Sequence, residues 1–287
     1  MPAPFAFLYR FLQDPPPEFV FEISSESVRM AIAAEPDSIS VEPLPAGVIS
    51  PSPLHENVVL SEPLREAVER LLPREARGKK RRAALLLPDH CAHVSVLDFD
   101  DFPAKPDEQM ALVKFRLRKS IPFDLDSAAI SYFVQAESKE KGVVVAVTAL
   151  DIVSRYEAPF RSLNVQPGFV TLAPLACLDL VESPGIVAVA RLSGNVLTLL
   201  VRQNRALRLM RSIELSDLSI AEISNHLHPT LVFIEDNLGA PASELFLAGF
   251  GLLEAEALRD YPDEFRLPVK ILGAGDTGIR GYLKGAA

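Results

Sequence analysis

GIVAVARLSGNVLTLLVRQNRALRLMRSIE, residues 185–214, reads as three consecutive β-strands joined by tight turns. Ile186 to Leu192 and Val196 to Val201 are apolar runs of strand length, rich in Val and Leu. Ser193, Gly194 and Asn195 part them, and such residues tolerate the positive φ that a tight hairpin demands. Gln203 and Asn204 mark the next reversal. Nearly every position of the first two strands is apolar, as in central strands covered on both faces. Arg205, Arg208 and Arg211 leave the third with a solvated side. One residue breaks the pattern: Arg191, near the end of the first strand.

The chain has 287 residues, enough for two moderate domains, each able to bury a core. It is 48% hydrophobic, carries a formal net charge of -9, and has no apolar run approaching the ~20 residues of a spanning helix. The acidic balance argues against nucleic acid as a general partner. The opening MPAPFAFLYRFLQDPPPEF lacks the basic start, continuous apolar centre and small-residue cleavage site of a secretory signal, so a cytoplasmic location is expected. Cys91 and Cys177, far apart and in apolar contexts, read as buried thiols.

Taken in order, Phe19 to Ile23, Ser27 to Ala33 and Ser38 to Glu42 form another meander of short alternating segments. A proline-rich connection, Pro43 to Pro53, leads to a helix that Ser61 can cap, with Leu64, Val68, Leu71 and Leu72 on one face. Ala83 to Leu87 and Val94 to Phe99 are strands. Asp107 opens a helix bearing Met110, Val113, Leu117 and Ile121, closed by Pro122. Ala128 to Gln135 and Val143 to Ala149 are strands again, and Asp151 is placed to cap the next helix, which Pro159 should bend. Phe169 to Leu172 leads to a short helix from Pro174. Beyond the opening meander, Leu218 to Ile234 is a long amphipathic stretch that Pro229 should kink or split. Strand Glu244 to Ala248, a turn at Gly249 to Gly251, helix Leu252 to Asp260 and strand Val269 to Leu272 follow, and Gly273 to Gly278 reads as a loop.

Both halves thus run in one order: a three-strand meander, then alternating helices and strands. The pattern predicts a duplicated α/β fold of two mixed-sheet domains with a cleft between them, the default place for a ligand. The first domain spans residues 1–183, with an additional piece at about 93–148, and the second spans residues 184–287.

EQMALVKFRLRKSIPFDLDSAAISYFVQ (Glu108 to Gln135), VVVAVTALDIVSRYEAPFRSLNVQPGFVTLAPLACLDLV (Val143 to Val181) and the tail LFLAGFGLLEAEALRDYPDEFRLPVKIL resemble segments of the PilM proteins of type IV pilus assembly. PilM proteins are members of the actin-like ATPase superfamily. The resemblance runs from about Phe19 to Leu272 and implies a duplicated ribonuclease-H-like, actin-like ATPase fold with a small inserted subdomain in the first domain. It also locates the nucleotide motifs. Where relatives carry Asp-Ile-Gly in the first phosphate loop, this chain has Glu22, Ile23 and Ser24. In the second loop Arg191, Leu192 and Ser193 replace the same triplet, inverting the charge where a magnesium nucleotide needs carboxylates. Gly249 and Gly251 survive around Phe250 in the adenosine loop. Relatives insert a cleft wall after the second meander, whereas here Ile213 runs through ELSDLS into the long helix, so that wall is reduced or absent. Together these departures imply a pseudo-ATPase: no catalytic residue and no cofactor, with ATP and magnesium expected only if the altered site stays active.

The resemblance further implies a short peptide of a PilN-like inner-membrane protein as partner, with Phe115, Arg116, Lys119, Ile121 and Phe123 as the candidate contacts. The expected role is a non-catalytic cytoplasmic scaffold of a pilus or related secretion machine, at the inner face of the membrane. The alternatives are an active ATPase and the cytoplasmic region of a type II secretion L-type protein. His90, Cys91 and His93, or His226 and His228, lack a second cluster with zinc-like spacing, so no metal site is expected. The basic run Arg74, Arg77, Lys79, Lys80, Arg81 and Arg82 suits a solvated helix end, with peripheral contact to anionic lipid as the sharper reading.

Overall fold

The computed structural model describes residues 17–135 and 141–286. Residues 1–16, read above for a secretory signal, lie outside them. The first meander is β1 (Phe19–Ile23), β2 (Ser27–Ile32) and β3 (Ile39–Pro43), followed by α1 (Ser61–Leu71) and β4 (Arg81–Leu87). Next come β5 (His93–Phe99), α2 (Pro106–Leu117), β6 (Ala128–Val134) and β7 (Lys141–Ala149), then α3 (Leu150–Ser162), β8 (Val165–Leu172) and α4 (Ala173–Cys177). The second half comprises β9 (Ile186–Ser193), β10 (Val196–Gln203), β11 (Ala206–Glu214), α5 (Ile220–Leu238), β12 (Glu244–Ala248), α6 (Glu254–Phe265), β13 (Val269–Gly273) and α7 (Thr277–Ala286).

The duplication is visible in the sheets. One five-stranded sheet has the order β3-β2-β1-β4-β8 and the other β11-β10-β9-β12-β13, so the same topology is used twice. In each, the meander is antiparallel, its first strand pairs in parallel with the next strand of the sheet, and that strand pairs in parallel with the last. A third sheet, β5-β7-β6, is antiparallel and stands apart. The turn between β9 and β10 is closed by two residues, with Gly194 at φ +59, and Asn204 takes φ +55 at the next reversal.

Side-chain alternation sorts each strand between two faces. From the first sheet, Phe21, Ile23 and Leu85 pack with α1 and α3 through Leu64, Val68, Tyr156 and Phe160. The opposite face, Val20, Ala84 and Leu86, is covered by Ala173 and Ala176 of α4 and by Ile279 of α7. In the second sheet Ala188, Ala190, Leu197 and Leu199 pack under α5 and α6. Val187, Val189 and Leu200, on the other face, join the core of the first half. This double coverage explains why β9 and β10 are apolar at almost every position. Each such Val or Leu contributes about 1.5–3 kcal/mol of transfer free energy.

Three local expectations are corrected. Ser61 and Asp151 lie inside their helices, whose N-cap positions are Leu60 and Ala149, without side-chain caps. Pro229 does not split the long helix, α5, which is a single element started by Ser219, whose hydroxyl accepts the Glu222 amide at 3.3 Å, and ended by Gly239 at φ +73. The loop at Gly273 to Gly278 gives way to α7, which crosses back onto the first domain. Among the described residues, no helix is long and apolar enough to cross a membrane.

Glycine permits that crossing. A Cβ on Gly281 would stand 2.0 Å from the Ala176 carbonyl oxygen, part of a helix backbone with no room to move. A Cβ on Gly285 would meet only the tip of the Asp179 side chain, at 2.4 Å. Gly281→Ala should therefore cost about 1–3 kcal/mol in urea unfolding. Gly285→Ala, where the obstructing group can swing aside, should cost markedly less.

Candidate functional site

The face of β9 that bears Val187 and Val189 continues to Arg191, so alternation alone aims this side chain at the first domain. It is 2% exposed. Its Nη2 donates to Glu22 Oε1 at 2.5 Å, its Nη1 donates to Asp89 Oδ1, and its Nε lies 3.3 Å from Thr277 Oγ1. Glu22, Asp89 and Thr277 are themselves no more than 1% exposed. Four elements meet here: β1 brings Glu22, the turn after β4 brings Asp89, β9 brings Arg191 and the start of α7 brings Thr277.

Glu22 lies on the same face of β1 as Val20, toward α7. Its second oxygen, Oε2, accepts the Ile279 amide at 2.7 Å, within the first turn of that helix, where unpaired N–H groups and the helix dipole favour an anion. Burial pushes the Glu22 carboxyl above its usual range, and the adjacent Arg191 works in the opposite direction. Burial also pulls the guanidinium down, with Glu22 opposing. An arginine keeps its proton in such a setting, and both Glu22 oxygens accept hydrogen bonds, from Arg191 and from the Ile279 amide. Asp89 Oδ2 is buried without a hydrogen-bond partner among the described residues, while the Asp89 carbonyl accepts the Ser212 hydroxyl at 2.9 Å.

The two loops expected to cradle phosphate are folded onto themselves and onto each other. Ser24 Oγ accepts the amides of Glu26, at 3.3 Å, and Ser27, at 3.0 Å, so donors of the first loop are spent on its own side chain. Gly194, next to Ser193 in the second loop, comes so close that a Cβ there would lie 2.6 Å from Ser25 Oγ. Gly249, at φ +72, abuts the Leu192 carbonyl, 2.3 Å from where its Cβ would be. Gly251, at φ +51, opens a short turn, and Phe250 is buried in the core of the second half. Glu22 and Arg191 are thus brought into direct contact, with Ser24, Ser193 and Gly249 close around the same boundary.

The five candidate peptide contacts lie on α2 and in the segment that follows it. Ile121 is buried, and Phe123 packs against the same core of the β5-β7-β6 unit, beside Leu117, Leu125 and Val145. Phe115 is 67% exposed on α2, Lys119 is exposed, and the Arg116 guanidinium lies over the Phe99 ring at 5.2 Å.

A deep concavity lies elsewhere. A groove of about 1460 Å³ runs between the first domain, the β5-β7-β6 sheet, the β10–β11 turn and α7, and none of those five residues lines it. Ala129 to Phe133 of β6 and Phe169 to Leu172 of β8 line it consecutively, as happens when a strand offers its edge. Among the described residues both strands end their sheets, so each turns a backbone edge to the groove. Phe133 and Phe169 are exposed in it, and Phe169 rests on the Tyr282 ring with centroids 5.6 Å apart. At its end the Gln135 side-chain amide pairs with both backbone groups of Leu207, at 3.0 and 2.6 Å, pinning the third sheet to the second domain.

Asp89, Thr277 and the groove residues were not legible beforehand. Asp89 had one signal, its position just past the carboxyl end of a buried strand, where α/β sheets gather functional groups. Thr277 had the spacing of Ile279, Tyr282 and Leu283 behind it, a helical face obscured by glycines.

No protein-family model matches the chain, and no curated protein matches it by sequence. Solved structures do match. The PilM-PilN type IV pilus biogenesis complex contains a chain that superimposes with a TM-score of 0.72 at 15% identity, covering 94% of this chain and 98% of that one. An actin-like ATPase-fold protein of unknown function from Bacteroides thetaiotaomicron superimposes at 0.55 with 13% identity, covering 92% and 94%. The chain has the actin-like ATPase fold.

Removing one partner of a buried ion pair leaves the other charge uncompensated, which costs about 3–5 kcal/mol. Arg191→Met should lose stability on that scale in denaturant titration. A double-mutant cycle with Glu22→Gln should show a coupling of at least ~0.5 kcal/mol.

Proposed function

We propose that this chain is a non-catalytic PilM-like scaffold of a pilus or related secretion machine, which works at the inner face of the cytoplasmic membrane and holds an extended peptide of a PilN-like inner-membrane protein. The observation that carries this reading is the groove between β6 and β8, which are edge strands among the described residues. An extended segment laid there satisfies backbone donors and acceptors on either side, while Phe133, Phe169 and Tyr282 receive its alternate apolar side chains. The groove volume of about 1460 Å³ exceeds the ~300–1,000 Å³ of small-molecule sites and suits a peptide. The PilM-PilN complex supports the choice of partner class.

In the same reading the chain has lost nucleotide chemistry. A guanidinium stands where the fold's metal-binding carboxylate is expected, and it repels a divalent cation at short range. Glu22, the carboxylate at the first position of the first loop's motif, is committed to Arg191 and to the Ile279 amide. The residues present do not fit a magnesium nucleotide.

Two measurements test this. Calorimetric titration with ATP, with and without magnesium, should give no micromolar binding, and metal-dependent micromolar binding would overturn the pseudo-ATPase reading. Arg191→Asp should not acquire ATPase activity, because Ser24 and Gly194 still close the loops. For the groove, a synthetic peptide matching the cytoplasmic N-terminus of the PilN-like protein should bind the full chain. Phe169→Asp should weaken it at least ~10-fold, as expected for a buried aromatic anchor. Unchanged affinity would place the partner elsewhere.

A further inference from the structure

The cluster at the domain boundary has the composition of a cation site. Glu22 and Asp89 supply carboxylates and Thr277 a hydroxyl from three separate elements, and all are excluded from water. Two carboxylates at this depth are strongly unfavourable unless a cation lies between them. Arg191 provides it, reaching across from β9. The choice of arginine has a geometric reason: a planar fork with donors on Nη1, Nη2 and Nε faces three acceptors at once, whereas an ammonium is a point charge. Among the described residues, Asp89 Oδ2 remains an unused acceptor.

We infer that Arg191 is a built-in replacement for an exchangeable cation, so that the two halves are clamped by the chain's own side chain and closure of the cleft needs no ligand. The charge balance of the cleft is thereby retained while its dependence on a bound group is lost. The surrounding contacts fit a permanent closure. Val187 and Val189 pack into the core of the first half beside the clamp, and Gly278 and Gly281 bring α7 against Glu22 and α4. The inference does not depend on what occupies the groove.

It is tested by chemical rescue in the full chain. Arg191→Ala removes everything beyond Cβ, and the missing fragment is ethylguanidinium. Thermal unfolding of the variant should show a lowered Tm that rises saturably with millimolar ethylguanidinium and far less with ethylammonium, while the wild-type Tm does not rise. A Tm that ethylguanidinium leaves unchanged, or raises equally in both proteins, overturns the inference. Should Arg191→Ala fail to fold, the neutral variant Glu22→Gln/Asp89→Asn/Arg191→Met decides. With no charge to neutralise it should fold and ignore ethylguanidinium, and its failure to fold would show that the arginine serves shape instead of charge. Loss of rescue leaves the peptide groove untouched, and loss of peptide binding in Phe169→Asp leaves the clamp untouched.

Discussion

The contact between Arg191 and the two carboxylates it bridges constrains everything around it. Opening the domain boundary there would leave a guanidinium and two carboxylates without their partners, while closing it removes all three from water at a large desolvation cost. Such a cluster tolerates only a closed state in which each charge is met. Glu22 is met twice, by Arg191 and by the amide at the start of α7, so the helix that crosses back from the second half is tied to the same point. Apolar packing supplies most of the free energy of this boundary, and the ionic contact sets its register: one residue of slip along β9 would turn Arg191 away from the first domain.

The strands were readable because their chemistry is local. Alternating or continuous apolar runs ended by Gly194, Asn195 and Asn204 define β9 to β11 without reference to anything distant. The repeat of that pattern revealed the duplication. Helix α7 escaped because glycines at 278, 281 and 285 lower helix propensity, yet Gly278 permits close approach to Glu22 and Ala173, and Gly281 permits contact with the α4 backbone. A local rule is broken there for a tertiary reason.

Arg191 stood out in the sequence as a charge in an apolar strand and Glu22 as a loop residue, but nothing in the sequence paired them or brought in Asp89. Asp89 lies 102 residues from it and Glu22 169 residues, and only the duplicated topology brings the three together. The same limit governed Phe115, Ile121 and Phe123. Their spacing places apolar side chains near one another without saying which of them face a core, and Ile121 and Phe123 face it while Phe115 does not. A groove formed from strand edges is less legible still, because an edge is a property of a sheet's final neighbour order.

Clamp and groove are mechanically joined. The groove draws walls from the first domain, the third sheet, the β10–β11 turn and α7, so its width is set by how these units are held. Helix α7 takes part in both: Thr277 and Ile279 belong to the clamp, and Tyr282 and Lys284 line the groove less than two turns further on. Helix α4, which packs on α7, contributes Leu175 and Ala176 to the same wall. A receptor whose walls must first be brought together spends part of its binding energy on closure, and one already closed does not. By substituting a covalently attached cation for a diffusible one, the chain keeps the domain arrangement that shapes the groove and removes the condition on which that arrangement would otherwise depend.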